Sequence, residues 1–261
     1  MVGSSGRLGW SVAGSGCRLL ARLSAGRGTL VPRARRGPGH AGEGMAMAFS
    51  GWPEDALDFY DGLAADNSKA YWTKHRQTYE EQVLGPMTEL LEELAADFGP
   101  GKIFRPYRDI RFSKDKSPYK TAIGARLGDG YLQLSAQGLA AGNGMYAMAP
   151  DQLERYRQAV AHDLTGPQLE RVIAAVRACD IDVHGHENLK TAPRGYPADH
   201  PRIDLLRCKG LIAWREWPVQ DWLATAAARD HVREFLASTQ PLADWLADHV
   251  GPSELSESGR R

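Results

Sequence analysis

The stretch from Arg105 to Lys120 holds the densest reactive chemistry in the chain. Arg105, Arg108, Arg111, Lys114, Lys116 and Lys120 are set there against only Asp109 and Asp115. Overall the chain is neutral, with 32 basic and 32 acidic residues, so folding alone does not call for such a block. It points either to a preorganised anion site or to a charged structural network. On an extended strand, side chains two residues apart share a face at steps of roughly 6.6 Å. Asp109 would then stand beside Arg111 and Arg105, holding a guanidinium fork in one pose with its outer N–H groups turned to a bound oxyanion. Arg108 adds to the cluster. Lys114, Lys116 and Lys120 could close over the anion from the following loop, and Ser113 and Tyr119 would add hydroxyl donors. The competing explanation is that Asp109 and Asp115 pair with these bases only to fix the loop on the sheet.

A second cluster, Lys190-Thr-Ala-Pro-Arg194-Gly195-Tyr196, offers Arg194 beside a glycine that lets backbone approach a ligand. Arg207 and Lys209 follow, and Asp199 and His200 are acid–base groups. If the protein is catalytic, Asp109 would orient or act as base, the Arg and Lys groups would stabilise developing negative charge, and Tyr119 or His200 would carry a proton. An ordinary solvated loop explains residues 190–196 equally well. His184-Gly-His186-Glu187, with Asp180 and Asp182 upstream, lacks the fixed spacing of a metal set, and no metal site is expected. There is no P-loop, GxSxG elbow, HExxH or dinucleotide fingerprint, and nothing in the chain names a cofactor.

Charge is unevenly distributed. Residues 1–48 hold seven Arg and a single acid, Glu43, whereas the rest has 25 basic against 31 acidic residues. A basic patch in an acidic body argues against a general nucleic-acid binder, which needs a broad basic face. No apolar run approaches the roughly 18 residues of a membrane span. Cys17, Cys179 and Cys208 are odd in number and widely spaced, which suits free thiols in a reducing, cytoplasmic setting.

The elements that must position these groups follow from periodicity. Residues 1–48 have none and predict a disordered leader, a start called too early, or a transit-like peptide. Helices are expected over 53–65, from Lys69 to about Val83, and over 87–98, with Gly85-Pro86 separating the last two. Phe104, Ile110 and Phe112 alternate with Arg105, Asp109 and Arg111, which predicts a strand with one apolar and one charged face. Residues 122–127 and 131–136 form a hairpin around Gly128-Asp129-Gly130. Residues 138–144 are expected to turn, and 145–148 to form a short strand. Helices follow over 151–162 and 167–178, then a loop over 180–202, a short helix over 203–209 and a strand over 211–217. Helices over 219–225, 231–238 and 241–250 close a single domain, 49–250, before a disordered tail, 251–261. The fold class is α+β: a central, mostly antiparallel sheet flanked by N-terminal and C-terminal helices.

The block Arg108-Asp-Ile-Arg111-Phe-Ser113-Lys114-Asp-Lys116-Ser-Pro118-Tyr119-Lys120 resembles the signature of domain-of-unknown-function family 2461, a bacterial and fungal family. Phe49-Ser-Gly-Trp52, Asp66-Asn67-Ser68-Lys69, Gly142-Asn143-Gly144-Met145-Tyr146 and Leu189-Lys190-Thr-Ala-Pro193-Arg194-Gly195-Tyr196 resemble it too. The likeness runs from about Phe49 to Val250. It implies an α+β domain and no established activity. The residues themselves lead to a basic pocket for a small phosphorylated or carboxylated ligand, in a protein that could be an enzyme. The rivals are a non-catalytic module for nucleic acid or an acidic protein partner, with Tyr107, Phe112 and Tyr119 stacking on bases, and a charge block that only locks the fold.

Overall fold

The computed structural model describes residues 48–111 and 113–255. The chain divides into Met1–Gly44 and Met45–Arg261, and every described residue belongs to the second unit. The expected leader therefore lies outside the described residues except for Ala48, as does Phe112.

Helix α1 (Glu54–Ala65) starts directly after Pro53 and buries Ala56, Phe59, Tyr60 and Leu63. Ser68 caps α2 (Lys69–Lys74), its Oγ accepting the Tyr71 amide at 3.1 Å. The helical path then continues through α3 (Arg76–Thr78), a π-helical segment (Tyr79–Leu84) and α4 (Gly85–Phe98). Gly85-Pro86 was expected to break this path and does not. The wider π winding lets the Gly85 amide reach the Glu80 carbonyl, and Pro86 falls in the first turn of α4, where its missing N–H costs nothing. Gly99 (φ 92°) ends the helix.

A six-stranded sheet follows in the order β1-β2-β3-β4-β6-β5, with every neighbouring pair antiparallel. Its strands are β1 (Gly101–Ile103), β2 (Ala122–Leu127), β3 (Gly130–Ser135), β4 (Gly138–Met145), β5 (Asp182–Gly185) and β6 (Leu211–Pro218). The α+β expectation is met, and the hairpin around residues 128–130 forms as predicted. Two strands run where the sequence predicts a turn and a loop. The turn expected over 138–144 is β4, in the interior of the sheet. Its Gly-Leu-Ala-Ala-Gly-Asn-Gly run has weak intrinsic strand preference, but its small residues allow close packing on both faces. Likewise, β5 arises inside the expected loop 180–202 by pairing with β6.

Helices α5 (Pro150–Ala161), α6 (Thr165–Arg177) and α7 (Ile203–Arg207) lie between the later strands, and a 3-10 turn (Asp221–Ala224) precedes α8 (Ala227–His249). Two helices were predicted where α8 runs unbroken through Pro241. The internal proline costs about 3 kcal/mol. Burial of Val232, Phe235 and Leu236 before it and Leu242, Trp245 and Leu246 after it offsets that, because a buried apolar side chain contributes roughly 1.5–3 kcal/mol. Residues 251–255, expected as loose tail, are tied to α5. The Gly251 and Pro252 carbonyls accept from Gln152 and Arg155, and Asp151 accepts from Ser253 Oγ and the Glu254 amide.

The sheet has two unlike faces. Ile123, Ala125, Leu132, Leu134, Leu139, Ala141, Leu211 and Ala213 are buried on one, where Asn143 Nδ2 donates to Thr239 Oγ1 of α8 at 3.0 Å. Strand register places Arg126, Tyr131, Gly142, Trp214 and Asp182 in one row on the other. No described helix is long and apolar enough to cross a membrane.

Candidate functional site

The charged block does not form the expected strand. Beyond Ile103 the chain makes one more bond to β2, from Phe104 N to the Gly124 carbonyl at 2.9 Å, then leaves the sheet, and among the described residues it forms a single bridge, Tyr107 with Tyr119. Arg108 N donates to the Pro118 carbonyl (2.9 Å) and Lys120 N to that of Pro106 (2.8 Å). Both prolines supply carbonyls but no N–H, so the ladder stops there. Asp109 folds back, its Oδ1 accepting the Arg111 amide at 3.2 Å, and Asp115 does the same for Ser117 at 2.9 Å; both are the side-chain turns that Asp favours over strand.

Arg105, Asp109 and Arg111 do come together, though on this loop and not on a sheet face. Arg111 Nε and Nη2 grip Asp109 at 2.9 and 2.6 Å. That hydrogen bonding, with smaller help from Arg105, holds the Asp109 carboxyl down to about 2. A carboxylate so acidic is a weak proton acceptor at neutral pH. The Arg111 side chain is 76% exposed, so this group forms a surface clasp. Arg108 pairs with Asp115 through Nη1, and Lys116 Nζ donates to the Ile110 carbonyl at 3.0 Å. Lys114 is exposed and Ser113 half-buried.

Tyr119 is an anchor for the loop. Its ring stacks on Trp72 at 4.4 Å and 6°, and Asn67 grips its backbone through both amide atoms at 3.0 and 3.1 Å. Burial pushes its phenol upward. The second cluster stays apart from the first. Lys209 Nζ meets Glu187 at 3.4 Å, the His200 ring accepts the Arg202 amide, and Arg194 is exposed in a turn. His184 meets Asp182 at 2.8 Å and His186 stacks on Tyr146; among the described residues no group of three or more metal-ligating side chains forms.

Two adjoining cavities occupy the second face of the sheet. One, of about 430 Å³, brings Arg108, Tyr119 and Lys120 against Gly124, Tyr131 and Gln133. The other, of about 480 Å³, is lined by Tyr131, Gln133, Gly142, Tyr146 and Trp214. Phe104, Tyr131 and Gln133 line both, so together they make one groove with a basic end and an aromatic end. Lys120 Nζ lies 5.8 Å from the Phe104 ring centre. Phe104, Tyr131 and Trp214 form a row of rings with centres 6.3 and 6.2 Å apart, the first pair tilted by 30° and the second stacked at 20°. Local hydrogen bonds hold the last two: Tyr131 Oη donates to Gln133 Oε1 and Trp214 Nε1 to Glu216 Oε1, each at 2.9 Å.

Sequence reasoning did not single out Tyr131, Gln133 or Trp214, and Tyr146 entered it only through the family resemblance. The alternation Tyr131-Leu-Gln133-Leu-Ser135 marks an outward face, but strand register is needed to set Trp214 beside it. A larger cavity, about 680 Å³, lies near α6, β5 and α7. Its arginines hold backbone: Arg177 donates to the Val183 carbonyl at 2.5 Å, and Arg202 to those of Val160 and Ala161 at 2.6 and 3.0 Å.

The family described as "Conserved hypothetical protein (DUF2461)" matches residues 55–245. The chain belongs to this family. The DUF2461 match takes in the whole groove, from Phe104 to Trp214. A conserved hypothetical protein from Pyrococcus furiosus is similar over 65% of this chain and 98% of its own, at 14% identity and a TM-score of 0.33. No curated protein matches this DUF2461 chain.

Proposed function

We propose that this protein binds a small phosphorylated or carboxylated ligand at the basic end of the groove. Lys120 carries the argument. It lines the cavity beside Arg108 and, among the described residues, forms no ion pair, whereas Arg108 and Arg111 each hold a carboxylate. An ammonium beside an aromatic ring in a partly closed cavity keeps its capacity for an anion. Arg108 uses Nη1 on Asp115, and a guanidinium has five N–H donors, so it can serve the loop and a ligand together. Asn67, Trp72 and the Tyr107–Tyr119 pairing fix the loop that carries both cations, which reduces the ordering a ligand must impose.

The test is thermal unfolding with ribose 5-phosphate and, separately, citrate. A ligand that binds only the folded state raises Tm with concentration. A rise for either compound in the wild type, much reduced in Lys120→Met, supports the reading. No rise for either, or an equal rise in the variant, overturns it.

A further inference from the structure

The aromatic end of the groove says what else the ligand carries. A stacked Tyr131–Trp214 pair at 6.2 Å, with Phe104 tilted beside it at 6.3 Å, is unusual on a sheet face that is not core. Trp214 and Tyr131 lean the same way, each over a glycine. The Trp214 Cε3–Cζ3 edge fills the space above Gly142, and Tyr131 Oη the space above Gly124. Both rings line the cavity and remain partly exposed, while Phe104 and Tyr146 are 37% and 61% exposed. Fixed, exposed ring surface is what a flat heterocycle stacks on. Gln133 gives Oε1 to Tyr131, which leaves its NH₂ as a donor in the same cavity, and Asp129 lines it as an acceptor.

We infer that the ligand is a nucleoside monophosphate or a close analogue, a planar base joined to one anionic group. Its ring lies against Tyr131 and Trp214, and its phosphate meets Lys120 and Arg108. This deepens the anion-binding proposal and rests on it. Charge favours a single nucleotide over a nucleic-acid strand. Among the described residues, the cations that line the groove are Arg108 and Lys120 at one end, Asp129 lies at the other, and residues 49–261 carry more acid than base. A strand needs a basic track along its backbone.

The experiment is titration of the full chain with the 5′-monophosphates of adenosine, guanosine, cytidine and uridine, the four nucleosides, ribose 5-phosphate and a twelve-residue oligothymidylate, followed by calorimetry. At least one monophosphate should bind more tightly than both its nucleoside and ribose 5-phosphate. Trp214→Leu should weaken it by roughly 5- to 150-fold, the range for losing one stacked base, and Tyr131→Leu should act in the same direction. Circular dichroism and Tm confirm that each variant is folded, and two independent ring variants guard against one that is not. If ribose 5-phosphate binds as well as every monophosphate and Lys120→Met abolishes it, the inference about the ring is wrong and the anion site stands. Nucleoside binding that is indifferent to Lys120→Met defeats the anion reading. Oligothymidylate binding more than tenfold tighter than any monophosphate, falling steeply with salt, makes the groove a nucleic-acid surface and overturns the inference. Binding by none of the probes overturns it as well.

Discussion

The ring of Trp214 occupies the space in which Gly142 would carry a side chain. A β-carbon built on Gly142 would stand 2.8 Å from Cε3 and 2.9 Å from Cζ3, inside any permitted contact. The two residues are direct partners across β4 and β6, so one strand's missing side chain sets the pose of the other's indole. Gly142→Ala should therefore lift the ring and cost about 1–3 kcal/mol, the usual range for overpacking. A denaturant titration measures the cost. In a Trp214→Ala background the same glycine substitution should be nearly neutral, because the clash has gone. An equal cost in both backgrounds would assign the glycine to backbone conformation instead.

Asn143, on the opposite face of β4, sets the sheet against α8. Its Nδ2 donates to Thr239 Oγ1, which donates in turn to the Phe235 carbonyl at 2.9 Å; all of this is buried, and among the described residues Asn143 Oδ1 has no protein partner. Thr239→Val keeps the volume and removes the acceptor, leaving a buried amide unmet. The expected loss is about 1–3 kcal/mol, read by chemical denaturation. A loss within experimental error would mean that the pair is compensated elsewhere.

How far the sequence discloses this fold depends on where each element gets its specification. Helices α1, α5 and α6 are visible because their apolar spacing is their own. Strand β4 is not visible, because its Gly-Ala run acquires meaning only from Trp214 on one side and Thr239 on the other. The continuity of α8 is hidden by Pro241, whose penalty is outweighed by apolar burial contributed by distant strands. In the charged block the residue types were informative but the alternation misled: Pro106, Pro118 and the two Asp turns favour a loop more strongly than Phe104 and Ile110 favour a strand. Lys120 and Arg108 were foreseeable as members of one basic cluster, and both line the same cavity. Tyr131 and Trp214, 83 positions apart in sequence, meet only through strand register.

Buried phenols set an alkaline limit. Burial first, then the neighbouring Tyr107 and Glu80, pushes Tyr79 up to about 12 from an ordinary 10, and burial raises Tyr60 further still. A group whose folded pKa is raised contributes stability that is complete below its unfolded value and fades as pH rises through the folded one. Stability should thus hold to about pH 10 and fall steadily toward 12. Absorbance at 295 nm followed beside circular dichroism checks this. Exposed tyrosines should ionise first with the fold intact, and the last phenolates should appear only with unfolding. Full ionisation at constant ellipticity would contradict the burial.

Asp109 and Asp115 shape the loop that presents Lys120, and they should govern its order without governing global stability. Asp115 accepts from Ser117 Oγ at 2.6 Å and from the Ser117 amide, and Arg108 adds its pairing; together these hold its carboxyl well below the usual range, the Ser117 bonds contributing most. The sign follows directly. Depressed carboxylates support the loop above their ordinary value of about 3.9, and that support is lost as pH falls toward the folded value, about 2 for Asp109. At neutral pH both are fully ionised, so neither titrates there and the loop should be insensitive to pH between 5 and 9. Surface pairs of this kind add little to global stability because solvent screens them, and the Tm of Asp115→Ala should match the wild type closely. Trypsin should nevertheless cut the variant faster at Arg111, Lys114 and Lys116, since the Ser117 turn and the Arg108 clasp are both gone. Anion binding should weaken as well, because Arg108 is no longer held beside Lys120. Unchanged cleavage together with unchanged binding would show that the backbone pairing of Tyr107 with Tyr119 holds the loop unaided.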